Sequence, residues 1–516
     1  MPAASLPSRV LLVTPPSIFL LDERVFINLG ILKIAAALEA HGVAVEHLDL
    51  SGTVNYLEAL ETHLATSEAT VVGLTSTTPQ LPTVVKIVER IRAVRPDLRV
   101  VLGGPHVTLT ASAVKLEQRA NRVSRAHLAM QRLEALADVL VSGDGELAVF
   151  LALQPDAPTL VDGDDPKGGL FLTNASYEAT AFPARHLVDM SSYRYEIDGH
   201  RSTSLIAQLG CPFGCGFCGG RNSKSLRMIR TRSTESIVAE VRMLHEVYGV
   251  TGFMFYDDEL NVSKNMVGLM NALADLQDSI GREFRFRGFV KAELFTPDQA
   301  AAMYRAGFRW LLSGYESGSP RILENIDKRA GLDDNSRAVE IAKRAGLKVK
   351  ALMSVGHPGE SEQTTRETQE WLLAVEPEDF DCTVITTYPG TPYYDEATPA
   401  AEPGVWTYTH RKTGDRLHAY EIDFLVVADY YKGDPQGGYQ AFVYTDYLSA
   451  SEIVQRRNWI EDSVRAALRL PYPQARAAIR YEHSVGMGAG DLPGFILRRS
   501  GDAATAANAA MVPAPR

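Results

Sequence analysis

Gly210-Cys211-Pro212-Phe213-Gly214-Cys215-Gly216-Phe217-Cys218 is the stretch of this 516-residue chain that contains three of its four cysteines. It directly follows residues 204–209, an apolar segment that predicts a β-strand, so the cysteines are expected on a loop after a strand. Four cysteines are too few for a disulfide scaffold in a chain of this length. Their clustering indicates a metal site in a reducing compartment.

The spacing of these cysteines is C-x3-C-x2-C, and thiolates suit both iron–sulfur clusters and zinc. Three cysteines on one tight loop can bind three irons of a cubane and leave the fourth iron open to a chelating substrate. A structural zinc site normally takes four ligands, and no second C-x2-C or H-x3-H follows. We therefore favour a [4Fe–4S] cluster on Cys211, Cys215 and Cys218, and interpret Cys382 as a core thiol.

The first 150 residues alternate short β-branched runs with amphipathic helical stretches. The predicted strands are residues 10–13, 43–48, 70–74, 99–102 and 138–141, with helices at 29–40, 56–65 and 82–94. Strands this apolar are usually covered on both faces, which predicts a parallel, doubly wound sheet of the α/β class. Ligands of such sheets bind at the carboxyl ends of the strands.

A second β-α alternation predicts a partial (β/α)6 barrel rather than a complete eightfold one. Its predicted strands are residues 204–209, 252–256, 284–290, 310–314, 348–354 and 381–386, with helices at 235–248, 297–306 and 335–345. Residues 154–169 are rich in Asp, Pro and Gly and are interpreted as a linker. The predicted organisation is a Rossmann-like domain (1–150), a linker (151–200), the barrel (201–395), a small mixed C-terminal domain (396–501) and a disordered tail (502–516).

Composition and charge limit the classes of partner. A net charge of −11 argues against nucleic acid, because phosphate binding depends on Lys and Arg. No apolar run reaches membrane-spanning length, and the N-terminus has no signal-peptide pattern, so we expect no membrane partner and a cytoplasmic location.

The cysteine motif, with the aromatic Phe217 before its third cysteine, resembles that of the radical S-adenosylmethionine (SAM) enzymes. The wider pattern resembles their cobalamin-binding subgroup, the B12-dependent radical SAM methyltransferases, over roughly residues 8 to 395. The motifs that carry this resemblance are Thr14-Pro15-Pro16, Gly103-Gly104-Pro105-His106, Gly143-Asp144-Gly145-Glu146, Tyr256-Asp257-Asp258-Glu259, Gly314-Tyr315-Glu316-Ser317-Gly318-Ser319 and Gly356-His357-Pro358-Gly359-Glu360.

The resemblance implies a SAM site beside the cluster. In that family SAM chelates the open iron, and an electron from the reduced cluster cleaves it to methionine and a 5'-deoxyadenosyl radical. Carried over by position, Phe217 would lie against the adenine. Asp257 and Asp258 would accept hydrogen bonds from the SAM amino group. The remaining implied SAM contacts are Lys291 with the carboxylate, and Glu316 and Ser317 with the ribose.

The resemblance also implies that the N-terminal domain binds cobalamin. The domain has no D-x-H-x-x-G motif, so its sequence offers no histidine as a lower cobalt ligand. The resemblance implies that cobalamin is bound base-off, as in that family. His106 is expected to line the pocket, and Gln80 is the side chain expected nearest the lower face of the corrin. The implied cobalamin-binding residues are Thr14, Pro15, Thr75, Ser76, Gln80, Gly103, Gly104, His106, Gly143 and Glu146.

Together these features imply methylation of a carbon atom. One SAM would methylate cobalamin, a second would supply the radical, and methylcobalamin would pass its methyl group to a small-molecule acceptor, as in many secondary-metabolite and antibiotic pathways. An external flavodoxin- or ferredoxin-like protein would supply electrons. Two alternatives remain open: a cobalamin-dependent cyclase, ring-contraction or rearrangement enzyme, and a non-catalytic corrinoid or electron-transfer protein.

Overall fold

The first sheet was predicted from the apolar runs of the N-terminal region. The structure is a computed structural model, and it describes residues 6–17, 23–121, 124–428 and 439–470. Six parallel strands form the sheet in the order β2-β1-β3-β4-β5-β6. Their bounds are β1 Arg9–Thr14, β2 Ala44–Asp49, β3 Val71–Thr75, β4 Arg99–Gly103, β5 Val139–Gly143 and β6 Leu160–Gly163.

Helices cover both faces of this sheet, which confirms the doubly wound arrangement. In β1, Val10 and Leu12 enter a core shared with α1 and α6, whereas Leu11 and Val13 enter a core shared with α2 and α3. This division follows from the two-residue period of a strand. The helices are α1 Leu29–Ala40, α2 Tyr56–Leu64, α3 Leu81–Val94, α4 Pro105–Arg119, α5 Arg125–Leu136 and α6 Gly145–Ala152.

The prediction of a linker at residues 154–169 is wrong. Within it, Leu160–Gly163 forms β6 and pairs in parallel with β5, so the first sheet extends beyond residue 150. The packing is close: a Cβ atom added to Gly143 would lie 2.5 Å from the backbone carbon of Gly163. Helix α7, Asn174–Ala179, follows before the second sheet begins.

The second sheet has the six parallel strands expected of a partial barrel, in the order β15-β14-β13-β12-β11-β8, with β7 antiparallel at its edge. A separate pair, β9 with β10, closes the cysteine loop. The strands are β7 Glu196–Ile197, β8 His200–Leu205, β9 Gln208–Leu209, β10 Arg230–Thr231, β11 Gly252–Phe255, β12 Arg285–Phe289, β13 Phe308–Glu316, β14 Lys348–Val355 and β15 Asp379–Val384.

The helices of this region connect the parallel strands and cover the sheet. Their bounds are α8 Thr234–Tyr248, α9 Met266–Ile280, α10 Pro297–Ala306, α11 Pro320–Asn325, α12 Leu332–Arg344, α13 Glu362–Val375 and α14 Pro392–Asp395. Gly249, Gly281 and Gly307 end α8, α9 and α10 in the left-handed conformation that glycine adopts without strain.

The C-terminal region is a small antiparallel sheet followed by one long helix. The strands are β16 Thr398–Pro399, β17 Val405–Thr409, β18 Arg416–Tyr420 and β19 Val443–Thr445, and the helix is α15 Ala450–Leu468. Glu461 of α15 accepts a hydrogen bond from the backbone N–H of Cys382, which is buried in the core as expected. The predicted tail, 502–516, lies outside the described residues. No helix in the described part of the chain is long and apolar enough to cross a membrane.

Candidate functional site

The cysteine loop begins at a glycine that the backbone requires. Gly210 has φ +85°, and an added Cβ atom would lie 2.2 Å from the carbonyl oxygen of Met228. The N–H of Cys211 donates to the Leu226 carbonyl at 2.9 Å, and the N–H of Cys218 donates to the Cys215 carbonyl at 3.2 Å. The three cysteines are thus carried on one closed, hydrogen-bonded loop.

The barrel and the segment after the cysteines hold this loop from both sides. The N–H of Gly216 donates to the Ile326 carbonyl at 2.8 Å. The guanidinium of Arg227 donates to the carbonyl oxygens of Pro212 (2.6 Å) and Phe213 (3.1 Å). These protein contacts therefore hold the loop on both sides.

The donor set fits an iron–sulfur cluster. Burial raises the pKa of the Cys211 thiol to about 11, so the free thiol is protonated at neutral pH and becomes a thiolate ligand by losing its proton to metal binding. Among the described residues, no three His, Cys, Asp or Glu side chains converge as ligands of a single metal ion. A cubane takes one thiolate on each of three irons, so it does not require the sulfurs to meet at one point.

The two aspartates after β11 have different surroundings. Both oxygens of the buried Asp257 carboxylate accept backbone hydrogen bonds, from Ala207 at 3.1 Å and Gln208 at 2.6 Å. Asp257 therefore fixes the turn that leads into the cysteine loop. Asp258 is exposed, and its charge acts on the thiols of Cys211 and Cys218. Of the pair, Asp258 is the one placed to meet a ligand beside the cysteines.

A buried ion pair lies at the ends of the neighbouring strands. Glu316, at the end of β13, accepts hydrogen bonds from Lys328 at 2.8 Å and from the Ser354 hydroxyl at 2.8 Å. Lys328 was not identified from the sequence, because only the turn made by α11 brings it back to Glu316. Burial raises the pKa of Cys215, and the positive charges of Lys328 and Lys291 oppose this rise.

Lys291 lies against the cysteine loop. Its Nζ atom is 4.1 Å from the centre of the Phe213 ring and donates to the Lys328 carbonyl at 3.0 Å. Ser317 points elsewhere: its buried hydroxyl is 2.9 Å from Thr368 Oγ1 on α13. Lys328 therefore connects the other two charged groups, because its Nζ donates to Glu316 and its carbonyl accepts from Lys291 Nζ.

Phe217 packs against a histidine to which the sequence assigned no role. The ring centres of Phe217 and His357 are 5.3 Å apart, and His357 Nε2 is 2.8 Å from the Ser354 hydroxyl. Burial lowers the pKa of His357 to about 4, so its ring is neutral at physiological pH. His357 belongs to the quoted Gly356–Glu360 motif, which was the available signal.

One cavity of about 810 Å³ lies between the two sheets. The carboxyl ends of β1, β3, β4 and β5 form one wall, and the opposite wall includes Ser204, Leu209 and Tyr256 from the barrel region. The Ser204 hydroxyl is buried in that wall and has no hydrogen-bond partner among the described residues.

Seven of the ten residues predicted to bind cobalamin line this cavity: Thr14, Thr75, Gln80, Gly103, Gly104, Gly143 and Glu146. Pro15, Ser76 and His106 do not. The prediction that His106 lines the pocket is wrong, because His106 is the second residue of α4 and is buried. Its ring nitrogens lie 2.9 Å from Thr78 Oγ1 and 3.3 Å from Thr110 Oγ1, and burial lowers its pKa to about 3.

Gln80 joins two loops at the cavity wall. Its amide nitrogen donates to the Pro15 carbonyl (3.1 Å) and the Ser17 hydroxyl (2.9 Å), and its Oε1 accepts the Thr77 N–H at 3.0 Å. The β1–α1 and β3–α3 loops are therefore tied together through one side chain.

Position 104 requires glycine because two loops pack against each other there. It has φ +96°, and an added Cβ atom would lie 2.5 Å from Thr75 Oγ1 and 2.7 Å from the Ser76 nitrogen. The absent side chain thus leaves room for protein backbone and not for a ligand, although Gly104 still lines the cavity.

The cavity reaches the cysteine loop. Tyr388 and Leu109 both line it, and both touch Gly219, the residue after Cys218. A Cβ atom added to Gly219 would lie 3.0 Å from Cε2 of Tyr388 and 3.3 Å from Cδ2 of Leu109. Because Leu109 belongs to α4 of the first domain, that domain packs directly beside the third cysteine.

The carboxyl ends of the strands of a doubly wound domain face a partial barrel, and a three-cysteine loop lies beside the cavity that the two share. This arrangement is the one expected of a two-cofactor enzyme of the radical SAM type. A model of the radical SAM superfamily matches residues 205–372, and a model of the B12 binding domain matches residues 23–121. The chain belongs to the cobalamin-binding radical SAM enzymes, the family that includes the B12-dependent radical SAM methyltransferases, as the motifs predicted. The cofactors of this family are a [4Fe–4S] cluster, SAM and cobalamin.

Curated and solved relatives agree with this assignment. An uncharacterized methyltransferase of Pyrococcus horikoshii is 26% identical over 411 residues, 75% of this chain and 83% of that protein. The anaerobic magnesium-protoporphyrin IX monomethyl ester cyclase of Rubrivivax gelatinosus is 23% identical over 350 residues, 64% of this chain and 59% of that protein. The solved methyltransferase TsrM of Kitasatospora setae, with cobalamin and a [4Fe–4S] cluster bound, is 18% identical. Its TM-score is 0.61, and the match covers 90% of this chain and 89% of that one, which shows a shared fold.

Proposed function

We propose that this protein transfers a methyl group from SAM, by way of cobalamin, to a carbon atom of a small-molecule acceptor. The observation that carries the proposal is the shared cavity, which is lined by the strand ends of the B12-binding domain and reaches Gly219 beside Cys218. One acceptor in this space could meet both cofactors without leaving the protein. The similarity to a methyltransferase over 83% of that relative's length supports the same conclusion.

Cys211, Cys215 and Cys218 would hold the cluster, and five side chains would surround SAM. Asp258 is placed for its amino group, and Lys328 and Lys291 are the cations available to its carboxylate. Glu316 would accept ribose hydroxyls, and Phe217 would contact the adenine. When bound, the cluster and SAM supply one-electron bond cleavage, and cobalamin supplies methyl relay.

We propose further that cobalamin binds base-off and without a histidine ligand. No histidine is among the described residues that line the cavity, and both nitrogens of His106 lie near threonine hydroxyls. The side chain of Gln80 would then be the polar group nearest the lower face, held there by its bonds to Pro15, Ser17 and Thr77.

The acceptor is proposed to be a secondary-metabolite intermediate, and the protein to act in the cytoplasm with an external flavodoxin- or ferredoxin-like donor. The reconstituted protein would be incubated with SAM carrying a CD3 group and with candidate acceptors. A product heavier by one CD3 group, with its new bond to carbon, is the expected result. A product without the label would contradict methyl transfer.

The similarity to a cyclase gives a second candidate: the same machinery directed to ring formation or another rearrangement. This alternative predicts 5'-deoxyadenosine and an unlabelled product, without S-adenosylhomocysteine. A non-catalytic corrinoid or electron-transfer protein would produce neither nucleoside. The three-cysteine motif disfavours that class, because electron carriers usually close their cluster with a fourth protein ligand.

A further inference from the structure

The chain has an uneven distribution of charge around its cysteine loop. Its net charge is −11, yet residues 199–234, which include the whole loop, contain no Asp or Glu. The cations in this range are Arg201, Arg221, Lys224, Arg227, Arg230 and Arg232. An acidic protein therefore presents its prospective cluster on a segment with only positive formal charge.

Three of these six cations lie near the loop and are accessible. Arg230 and Arg232 are buried in ion pairs with Asp144 and Glu240, and Arg201 lies away from the loop, bonded to the Tyr248 carbonyl. The remaining three, Arg221, Lys224 and Arg227, lie on the segment that follows Cys218. We call these three residues, together with exposed Pro212 and Met228, the basic face.

The basic face adjoins the cysteines. Arg227 donates to the carbonyls of Pro212 and Phe213, between the first two cysteines. The Arg221 Nε atom would lie 3.6 Å from a Cβ atom added to Gly214, one residue before Cys215. The exposed Lys224 is joined to the same segment, because its carbonyl accepts the N–H of exposed Met228 at 2.8 Å.

Within the described residues, one acid forms an ion pair with these cations, and the exposed Asp258, whose charge acts on the Cys211 and Cys218 thiols, forms none with them. Asp327 lies 3.8 Å from Arg221, and it is the acid in contact with these three cations. Within the described residues, neither Lys224 nor Arg227 forms an ion pair. The exposed hydrocarbon of Pro212 and Met228 adds the apolar contact that a protein interface needs.

We propose that the basic face is the docking surface for an acidic one-electron donor of the flavodoxin type. The proposal rests on the proposed function, because SAM cleavage requires an electron that the chain does not itself supply. The donor's anionic flavin hydroquinone gives one electron and becomes the neutral semiquinone, while the oxidised cluster, [4Fe–4S]2+, becomes [4Fe–4S]+. No proton or covalent bond is exchanged in this step.

Electrostatics explain why a local basic face is needed. Two acidic proteins repel each other at long range, and a patch of opposite charge steers the encounter to one orientation. Here that orientation brings the donor's flavin to the side of the loop that carries Pro212 and Phe213. Such steering is screened by salt, with a Debye length of about 10 Å at 0.1 M ionic strength.

The first test measures binding. The protein reconstituted with cluster and cobalamin is titrated with a bacterial flavodoxin at low ionic strength, and Lys224→Glu is compared with wild type. The control is Lys86→Glu, an exposed lysine on α3 in the other domain. We expect Lys224→Glu to raise the Kd about fivefold or more, with the difference shrinking at high salt, and Lys86→Glu to leave it unchanged. An unchanged Kd in Lys224→Glu would overturn the proposal.

The second test compares two reductants in SAM cleavage. Lys224→Glu should form 5'-deoxyadenosine more slowly than wild type with reduced flavodoxin, and at the wild-type rate with dithionite, which needs no docking surface. If Lys224→Glu and wild type form 5'-deoxyadenosine at equal rates with reduced flavodoxin at low salt, docking at the basic face is contradicted. If wild type forms no 5'-deoxyadenosine with dithionite, the proposed function fails, and the flavodoxin Kd still decides whether the docking surface exists.

Discussion

The Nζ atom of Lys328 lies 2.8 Å from the Oε1 atom of Glu316, and this buried pair joins the end of β13 to the segment that packs on the cysteine loop. Lys328 also donates to the Gly314 carbonyl, and the Ile326 carbonyl two residues earlier accepts the Gly216 N–H. The charged pair and the cysteine loop are therefore held by the same short stretch of chain.

Replacing Lys328 should destabilise the protein before any cofactor is added. Lys328→Met leaves the Glu316 carboxylate buried without its cation, which typically costs about 3–5 kcal/mol. We expect urea unfolding of the apoprotein to show such a loss. Glu316→Gln in the same background should restore part of it. Unfolding of Lys328→Met at the wild-type urea concentration would show that the pair does not stabilise the fold.

The buried His106 should make the first domain sensitive to acid. Burial lowers its pKa to about 3, against about 6.5 for an exposed histidine, so protonation favours the unfolded state. The stabilisation is fully present above pH ~6.5 and is lost as the pH falls from there toward 3. His106→Asn should flatten the stability curve in this window by up to about 1.4 kcal/mol per pH unit.

The two classes of cysteine should respond differently to replacement. Cys215→Ala removes one of three cluster ligands, so the reconstituted protein should lose iron and form no 5'-deoxyadenosine. Cys382→Ala removes a buried thiol of the β15 core that is not part of the three-cysteine motif, and should keep iron and nucleoside formation. Iron content and nucleoside yield are measured on both variants. Retained SAM cleavage in Cys215→Ala without a cluster would refute the site.

Gln80 should influence cobalamin binding through the loops that it joins. Gln80→Ala removes hydrogen bonds to Pro15, Ser17 and Thr77 that hold one wall of the cavity. Two or more lost bonds of about 1 kcal/mol each predict a cobalamin Kd at least about tenfold higher. Gln118→Ala, at an exposed position of α4, is the control. Equal cobalamin affinity of Gln80→Ala and wild type would remove Gln80 from the proposed site.

Strong apolar patterns made most of the fold predictable. Residues 252–256 and 348–354 were predicted as strands from their largely apolar sequence, and β11 and β14 match them closely. β6 was missed because its four residues lie within a segment rich in Asp, Pro and Gly, whose composition is typical of a linker. Its pairing depends on β5, which a local pattern cannot reveal.

The site was predictable where a motif is contiguous and not where the fold brings distant residues together. The cysteine spacing located the loop directly. The placement of His106 was wrong because the segment Gly103–His106 looked like an open loop, whereas α4 begins at Pro105 and carries the histidine into the core. Lys328 had no signal, since its partner Glu316 lies on another element and the contact depends on the turn of α11.

The most direct test of the central claim is the pair of nucleosides formed by one sample. The protein is purified without oxygen, reconstituted with cluster and cobalamin, and incubated with SAM, reductant and an acceptor that has been shown to take the CD3 label. We predict about four irons and one cobalamin per chain. We also predict that the sample forms both S-adenosylhomocysteine and 5'-deoxyadenosine. Iron without cobalamin, and 5'-deoxyadenosine alone, would contradict the account.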